Sequence, residues 1–248
     1  MDLGIAGRVA LVTGSHRGTG SAIAASLAAE GARVLVHGFE PGQPDAVVEA
    51  IVSRGGSARG IVGDLSSDVG AAALLEAAGD LDIVVCNYGV AQGGRWSNVS
   101  TDAWVDAYDR NVLTAVRVAA GAAPALVERG WGRIVLLGTV GTVRPAAVRP
   151  QYYGSKAALP ALTVSLAKEL AGSGVTVNLV SPGLIATQEV LDRLADRLVA
   201  EVFPGMSGRI ALPSEVADLV TYVCSEQAGA ITGSNFRIDG GSTDVVQP

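Results

Sequence analysis

The chain has 248 residues, 49% of them hydrophobic and 4% aromatic, with 32 glycines and a formal charge of −6. A core of Ala, Val, Leu and Ile joined by tight turns suits an α/β fold, and the acid excess argues against nucleic acid as a partner, which needs a clustered basic face. No apolar run approaches the ~20 residues of a membrane span and no leader pattern is visible. The two cysteines, Cys86 and Cys224, stand at no metal spacing, so a soluble protein of a reducing, cytoplasmic setting is expected, with no metal and no membrane partner.

In chain order, apolar runs predict strands at 8–14, 33–38, 58–64, 81–87, 132–138, 175–181 and 235–241. They hardly alternate, so burial on both faces is expected. Helices are predicted between them at about 19–30, 44–54, 68–78, 101–129, 152–172 and 214–225. Such alternation demands right-handed crossovers and a parallel sheet covered by helices on both faces, a single-domain doubly wound (Rossmann) fold over residues 1–248. Ligands in such folds sit beyond the carboxyl ends of the strands. Pro160 lies inside the predicted helix 152–172 and cannot donate to the Lys156 carbonyl, so a bend is expected just after Lys156.

The first strand runs into "TGSHRGTG" (13–20), which opens a helix. Gly14, Gly18 and Gly20 allow close backbone approach, and the helix N-terminus offers free N–H groups to a pyrophosphate. A glycine-rich turn alone leaves open whether it is a dinucleotide cradle or only a turn. Further on, "YYGSK" (152–156) sets Tyr152 four and Tyr153 three residues ahead of Lys156. Either tyrosine can share a helical face with the lysine.

At this spacing the glycine turn resembles the TGxxxGxG motif of the short-chain dehydrogenase/reductase family, and the resemblance runs through the whole chain. Asp64 with Leu65 is similar to its adenine-contacting pair. "CNYG" (86–89) resembles its N-N-A-G, keeping Asn87 and Gly89 while Cys86 and Tyr88 depart. Asn111 in "RNVLTA", a YxxxK formed by Tyr152 and Lys156, "NLVSPGLIAT" (178–187) and "ITGSNFRIDGG" (231–241) complete it. The nearest pattern is that of 3-ketoacyl-carrier-protein reductases. A surface receiving an acidic carrier should be basic, and apart from Arg129 the segment "GSGV" after the long helix brings no cation, so a carrier-bound substrate is not expected.

The resemblance implies hydride exchange between a nicotinamide and a carbonyl or secondary alcohol. Tyr152 is then the general acid/base, Lys156 holds the ribose and depresses the tyrosine pKa, and Asn111 positions a relay water. Thr139 stands where the family has serine. The resemblance also assigns cofactor contacts to Gly14, His16, Arg17, Gly18, Thr19, Gly20, Asp64, Leu65, Asn87, Gly89, Pro182, Gly183, Ile185 and Thr187, besides Tyr152 and Lys156. Where NAD-preferring members carry an acid at the end of the second strand, this chain has Gly38, with His37 before it. NADP(H) is therefore expected, with Arg17 and His37 near the 2′-phosphate and NAD(H) as the alternative. Trp96, Arg144, Arg149, Tyr153 and Phe203 are candidate substrate-lining groups, and 184–206 resembles the family's lid. A homo-oligomer, tetramer or dimer, is expected through the helices at 101–129 and 152–172. The alternative to an enzyme is a sensor or scaffold that keeps the fold, to which only Thr139 points.

Overall fold

Seven parallel strands share one sheet in the computed structural model, which describes residues 1–194 and 205–245. They are β1 (Val9–Val12), β2 (Arg33–Gly38), β3 (Ser57–Val62), β4 (Ile83–Cys86), β5 (Gly132–Leu137), β6 (Val175–Pro182) and β7 (Asn235–Ile238). Their spatial order is β3-β2-β1-β4-β5-β6-β7. The chain winds outward from β1 to one edge, returns, and winds to the other. The loops after β1 and β4 therefore diverge and leave the crevice in which such folds bind ligands.

Successive side chains of a strand point to opposite faces, and each face feeds its own core. Leu11, Val84, Ile134 and Leu136 join the cluster of α3 (Asp68–Ala78), α5 (Thr114–Glu128) and α7 (Leu159–Glu169). Their neighbours Val12, Val85 and Val135 join Ile23 and Leu27 of α1 (Gly18–Ala29) and Val216 and Val220 of α9 (Pro213–Val223). Each fully buried Leu or Ile contributes roughly 1.5–3 kcal/mol of transfer free energy. The expectation of burial on both faces holds for the central strands. It fails for β3 and β7, which are mostly exposed or half-buried because they are the sheet edges.

Helix α2 spans Asp45–Val52, and α3 is capped by the Ser67 hydroxyl, which accepts from Gly70 N at 3.1 Å. The predicted helix 101–129 divides into α4 (Thr101–Tyr108), a π-helical segment at Asp109–Leu113, and α5. The predicted helix 152–172 divides into α6 (Pro150–Lys156) and α7, with Ala157 and Ala158 in a turn between them. That break falls directly after Lys156, as the missing N–H of Pro160 requires. Helix α8 covers Gln188–Leu194. Among the described residues no helix is long and apolar enough to cross a membrane, and no group of three or more His, Cys, Asp or Glu is placed to hold a metal.

Candidate active site

The glycine turn forms one wall of the crevice. Gly14 and Gly18 have φ of 62° and 60°, a left-handed conformation that favours glycine. A Cβ at Gly20 would stand 2.5 Å from Asn87 Nδ2 and 2.7 Å from Gly14 O, so only glycine lets the first turn of α1 approach the loop after β4. Asn87 fixes this contact by donating from Nδ2 to Thr13 O at 2.9 Å. The crevice opens into a cavity of about 880 Å³ lined by the whole turn from His16 to Gly20 and, opposite it, by Tyr152 and Lys156. Pro182, Ile185 and Thr187 close the end nearest β6. A cavity of this volume that takes in a helix N-terminus with glycine-cleared backbone fits a dinucleotide, its pyrophosphate against the free N–H groups.

The residues opposite converge from separate elements. Lys156, 4% exposed, donates from Nζ to Leu137 O at 2.7 Å, which fixes α6 to the end of β5. A Cβ at Gly89 would lie 2.9 Å from Asn111 Oδ1 and 3.1 Å from Lys156 Nζ, so these three groups meet. The Thr139 hydroxyl accepts from Gly141 N at 3.2 Å and hydrogen-bonds the Tyr152 phenol. With its oxygen engaged by an N–H, the threonine has its own proton to give.

Burial dominates the titration of this cluster. It pushes the Tyr152 phenol up to about 12 against the pull of the Thr139 hydrogen bond, with Tyr153 raising it further and the Arg149 charge lowering it. It also brings Lys156 down to about 8. The expected depression of Tyr152 by Lys156 is thus corrected: the amine is turned to a backbone carbonyl, and desolvation outweighs the groups that favour the phenolate.

A family model described as enoyl-(acyl carrier protein) reductase matches residues 14–243. Nodulation protein G of Azospirillum brasilense is 34% identical, the alignment covering 94% of this chain and 97% of that protein. The 3-oxoacyl-[acyl-carrier-protein] reductase of Aquifex aeolicus is also 34% identical, over 97% and 99% respectively. Among solved structures, L-sorbose reductase of Gluconobacter frateurii, complexed with NADPH and L-sorbose, superposes with a TM-score of 0.93 at 29% identity, covering 99% of this chain and 100% of that one. An NADP-bound 3-oxoacyl (acyl-carrier-protein) reductase of Agrobacterium tumefaciens gives 0.91 at 34% identity, over 97% and 96%.

The chain belongs to the short-chain dehydrogenase/reductase family. Its members are NAD(P)-dependent oxidoreductases of carbonyl and alcohol groups. Several positions depart from what that family led the sequence to suggest. His37 is fully buried and cannot meet a phosphate. Its Nδ1 accepts from Gly14 N at 3.0 Å and its Nε2 lies 3.0 Å from Gly63 O. An N–H pointing at Nδ1 requires that nitrogen to be bare, so the ring is the neutral Nε2–H tautomer, and burial lowers its pKa to about 4. Leu65 is also fully buried, which removes it as an adenine contact as placed. Asp64 instead faces a smaller cavity of about 270 Å³, separated from the main one by Phe39 and Tyr88, whose ring centroids are 4.6 Å apart. Both amide atoms of Asn111 bind Val90, Oδ1 accepting from its N at 2.7 Å and Nδ2 donating to its O at 3.1 Å, so the side chain braces the loop after β4. Gly183 receives β7 rather than a ligand, since a Cβ there would lie 2.7 Å from Asp239 Cβ.

The substrate candidates scatter. Tyr153 packs its ring over Gly141, where any Cβ would overlap it, and so belongs to the wall behind Tyr152. Trp96 is 77% exposed and stacks on Trp104 with centroids 5.0 Å apart. Arg144 donates to Ser242 O at 2.7 Å, away from the cavity. Arg149 begins α6 at φ 62°, the one non-glycine residue of positive φ among those described. Phe203, with residues 195–204 of the expected lid, lies outside the described residues. The sequence reading missed Gln43, Tyr88 and Arg110, all of which line the main cavity. Only Tyr88 had left a sign, as a departure from the N-N-A-G pattern.

Proposed function

We propose that the protein interconverts a small carbonyl compound and the corresponding secondary alcohol with NADP(H), using Tyr152 as the general acid/base. What carries this reading is the placement of Tyr152 and Lys156 together in the lining of the cavity that the glycine turn also lines, with the Thr139 hydroxyl beside the Tyr152 phenol. A bound nicotinamide supplies or accepts the hydride. In the direction of reduction the Tyr152 hydroxyl gives its proton to the carbonyl oxygen, and the Thr139 hydroxyl hydrogen-bonds that oxygen as charge builds on it. The high pKa of Tyr152 keeps this proton in place until the oxygen becomes basic. Lys156 holds the ribose side of the site, and Asn111 keeps the 87–90 loop against it.

NADP(H) is favoured by Arg17, an exposed guanidinium in the cavity lining with no hydrogen-bonding or ionic side-chain partner among the described residues, and by the lack of an acid at Gly38. Glu40 does not line the cavity. The relatives solved with NADP and with NADPH support the same choice. A free small molecule is favoured over a carrier-bound one because Arg129 is committed to Asp80 and to the Leu81 carbonyl. The whole chain acts as one catalytic unit, and it assembles as a homotetramer or dimer.

The test is a panel of carbonyls and alcohols with both nicotinamide cofactors, followed by cofactor absorbance. Tyr152→Phe is expected to lose at least ~10²-fold in kcat, while Tyr153→Phe keeps most of it. Equal turnover by Tyr152→Phe and parent, or a parent that binds NADPH yet turns over nothing, overturns the reading.

A further inference from the structure

The cavity wall beyond β2 contains a group that the missing acid at Gly38 had hidden. Residues 40–43, Glu-Pro-Gly-Gln, form a turn in which Gln43 N donates to Glu40 O at 3.2 Å and Gly42 has φ +85°. Proline second and a positive-φ glycine third are the requirements of a type II turn, so the backbone position of Gln43 is fixed by local chemistry. Its side chain folds back over β2. A Cβ on Gly38 would lie 2.8 Å from Gln43 Cβ and 3.1 Å from Gln43 Oε1, so the glutamine fills the space that a side chain at 38 would need.

Its amide is also oriented. Oε1 accepts from Phe39 N at 2.8 Å and from Glu40 N at 3.3 Å. Two N–H donors aimed at one atom require oxygen there, which leaves the NH2 end as the other face of the amide. That end makes no hydrogen bond to any described residue, and Gln43 lines the same cavity as Arg17.

We infer that Gln43 is the specificity-determining residue that stands in for the missing acid: it spends its acceptor on the loop and offers only a donor, beside Arg17, to the 2′ position of the adenosine ribose. A wall of donors suits a phosphate, which only accepts, and gives no acceptor to a free 2′-hydroxyl. The inference rests on the NADP(H) reading above. A carboxylate at 43 could keep both backbone hydrogen bonds through one oxygen while turning the other, charged, toward the 2′ position.

Dissociation constants for NADPH and NADH, read by nicotinamide fluorescence on the full chain, test it. Gln43→Glu is expected to weaken NADPH binding by about tenfold or more and to leave NADH binding unchanged or tighter, with the melting temperature held. A parent that prefers NADPH and a Gln43→Glu variant with the same NADPH-to-NADH ratio overturn the role of Gln43 and leave the cofactor reading standing. A parent that prefers NADH overturns the cofactor reading itself, and with it the inference. Should Gln43→Glu not fold, Gln43→Met, which lacks the donor, is expected to lower the ratio, and an unchanged ratio there counts equally against the role.

Discussion

Replacing His37 by Asn should remove a specific part of the protein's acid sensitivity. The imidazole ties the glycine turn to the end of β3 through Gly14 N and Gly63 O, and it is sealed from solvent. A proton on Nδ1 would face the Gly14 N–H with nothing to accept it. The native ring therefore stays neutral down to about 4, whereas the unfolded chain takes the proton near 6.5. Because the folded pKa is the lower of the two, the unfolded state binds more protons between those limits. Stability is at full value above 6.5 and falls as pH drops toward 4. At ~1.36 kcal/mol per pH unit the gap comes to at most about 3–4 kcal/mol, the scale of leaving one or two buried backbone groups unpaired. Urea unfolding followed by tryptophan fluorescence at a series of pH values reads this directly. Asn at 37 supplies an acceptor for Gly14 N without a titrating ring, so its stability should be flatter over that window. The other histidine, His16, also has a lowered pKa, by burial first, so a His16→Asn variant isolates its share. If His37→Asn loses as much stability between those pH values as the parent, the neutral-strut argument is wrong.

The Thr139→Ala variant should lose ~10²–10³ in kcat with little change in cofactor affinity, because the hydroxyl is needed where charge develops. Thr139→Ser keeps that hydroxyl and should stay near the parent; equal loss in both variants would place the effect in packing. On the alkaline side, Lys156 gives up its proton at about 8 in the folded protein and at 10.5 in the unfolded chain. Stability should therefore rise with pH between those values, and a Lys156→Met variant should lack that rise when urea midpoints are compared. Parallel pH curves for the two would refute it.

How much of this was legible in the sequence varied with how local the cause was. The central strands announced themselves as unbroken apolar runs, and the break after Lys156 was written in Pro160. The π segment at Asp109–Leu113 was not, since "DRNVL" carries no helix breaker, and Asn111 within it binds a loop 21 residues earlier that the sequence alone does not bring near. His37 misled because a histidine at a strand end reads as a phosphate contact. Its partners lie 23 residues before and 26 residues after it, and only the sheet brings them together. Gln43 could have been found, since "EPGQ" after β2 has the composition of a type II turn, which returns its fourth residue toward the strand end. Register with the family chose Tyr152 over Tyr153; in the structure the Tyr152 ring lines the cavity while the Tyr153 ring covers Gly141.

The turn at Ala157 and Ala158 makes α6 a short separate piece, hung from β5 by the Lys156–Leu137 hydrogen bond and joined to α7 by a two-residue joint. A continuous helix would act as a lever, passing every shift along its outer face to the lysine. The joint instead separates Tyr152 and Lys156 mechanically from α7. Surface substitutions along α7 can accumulate without shifting the two side chains one turn away.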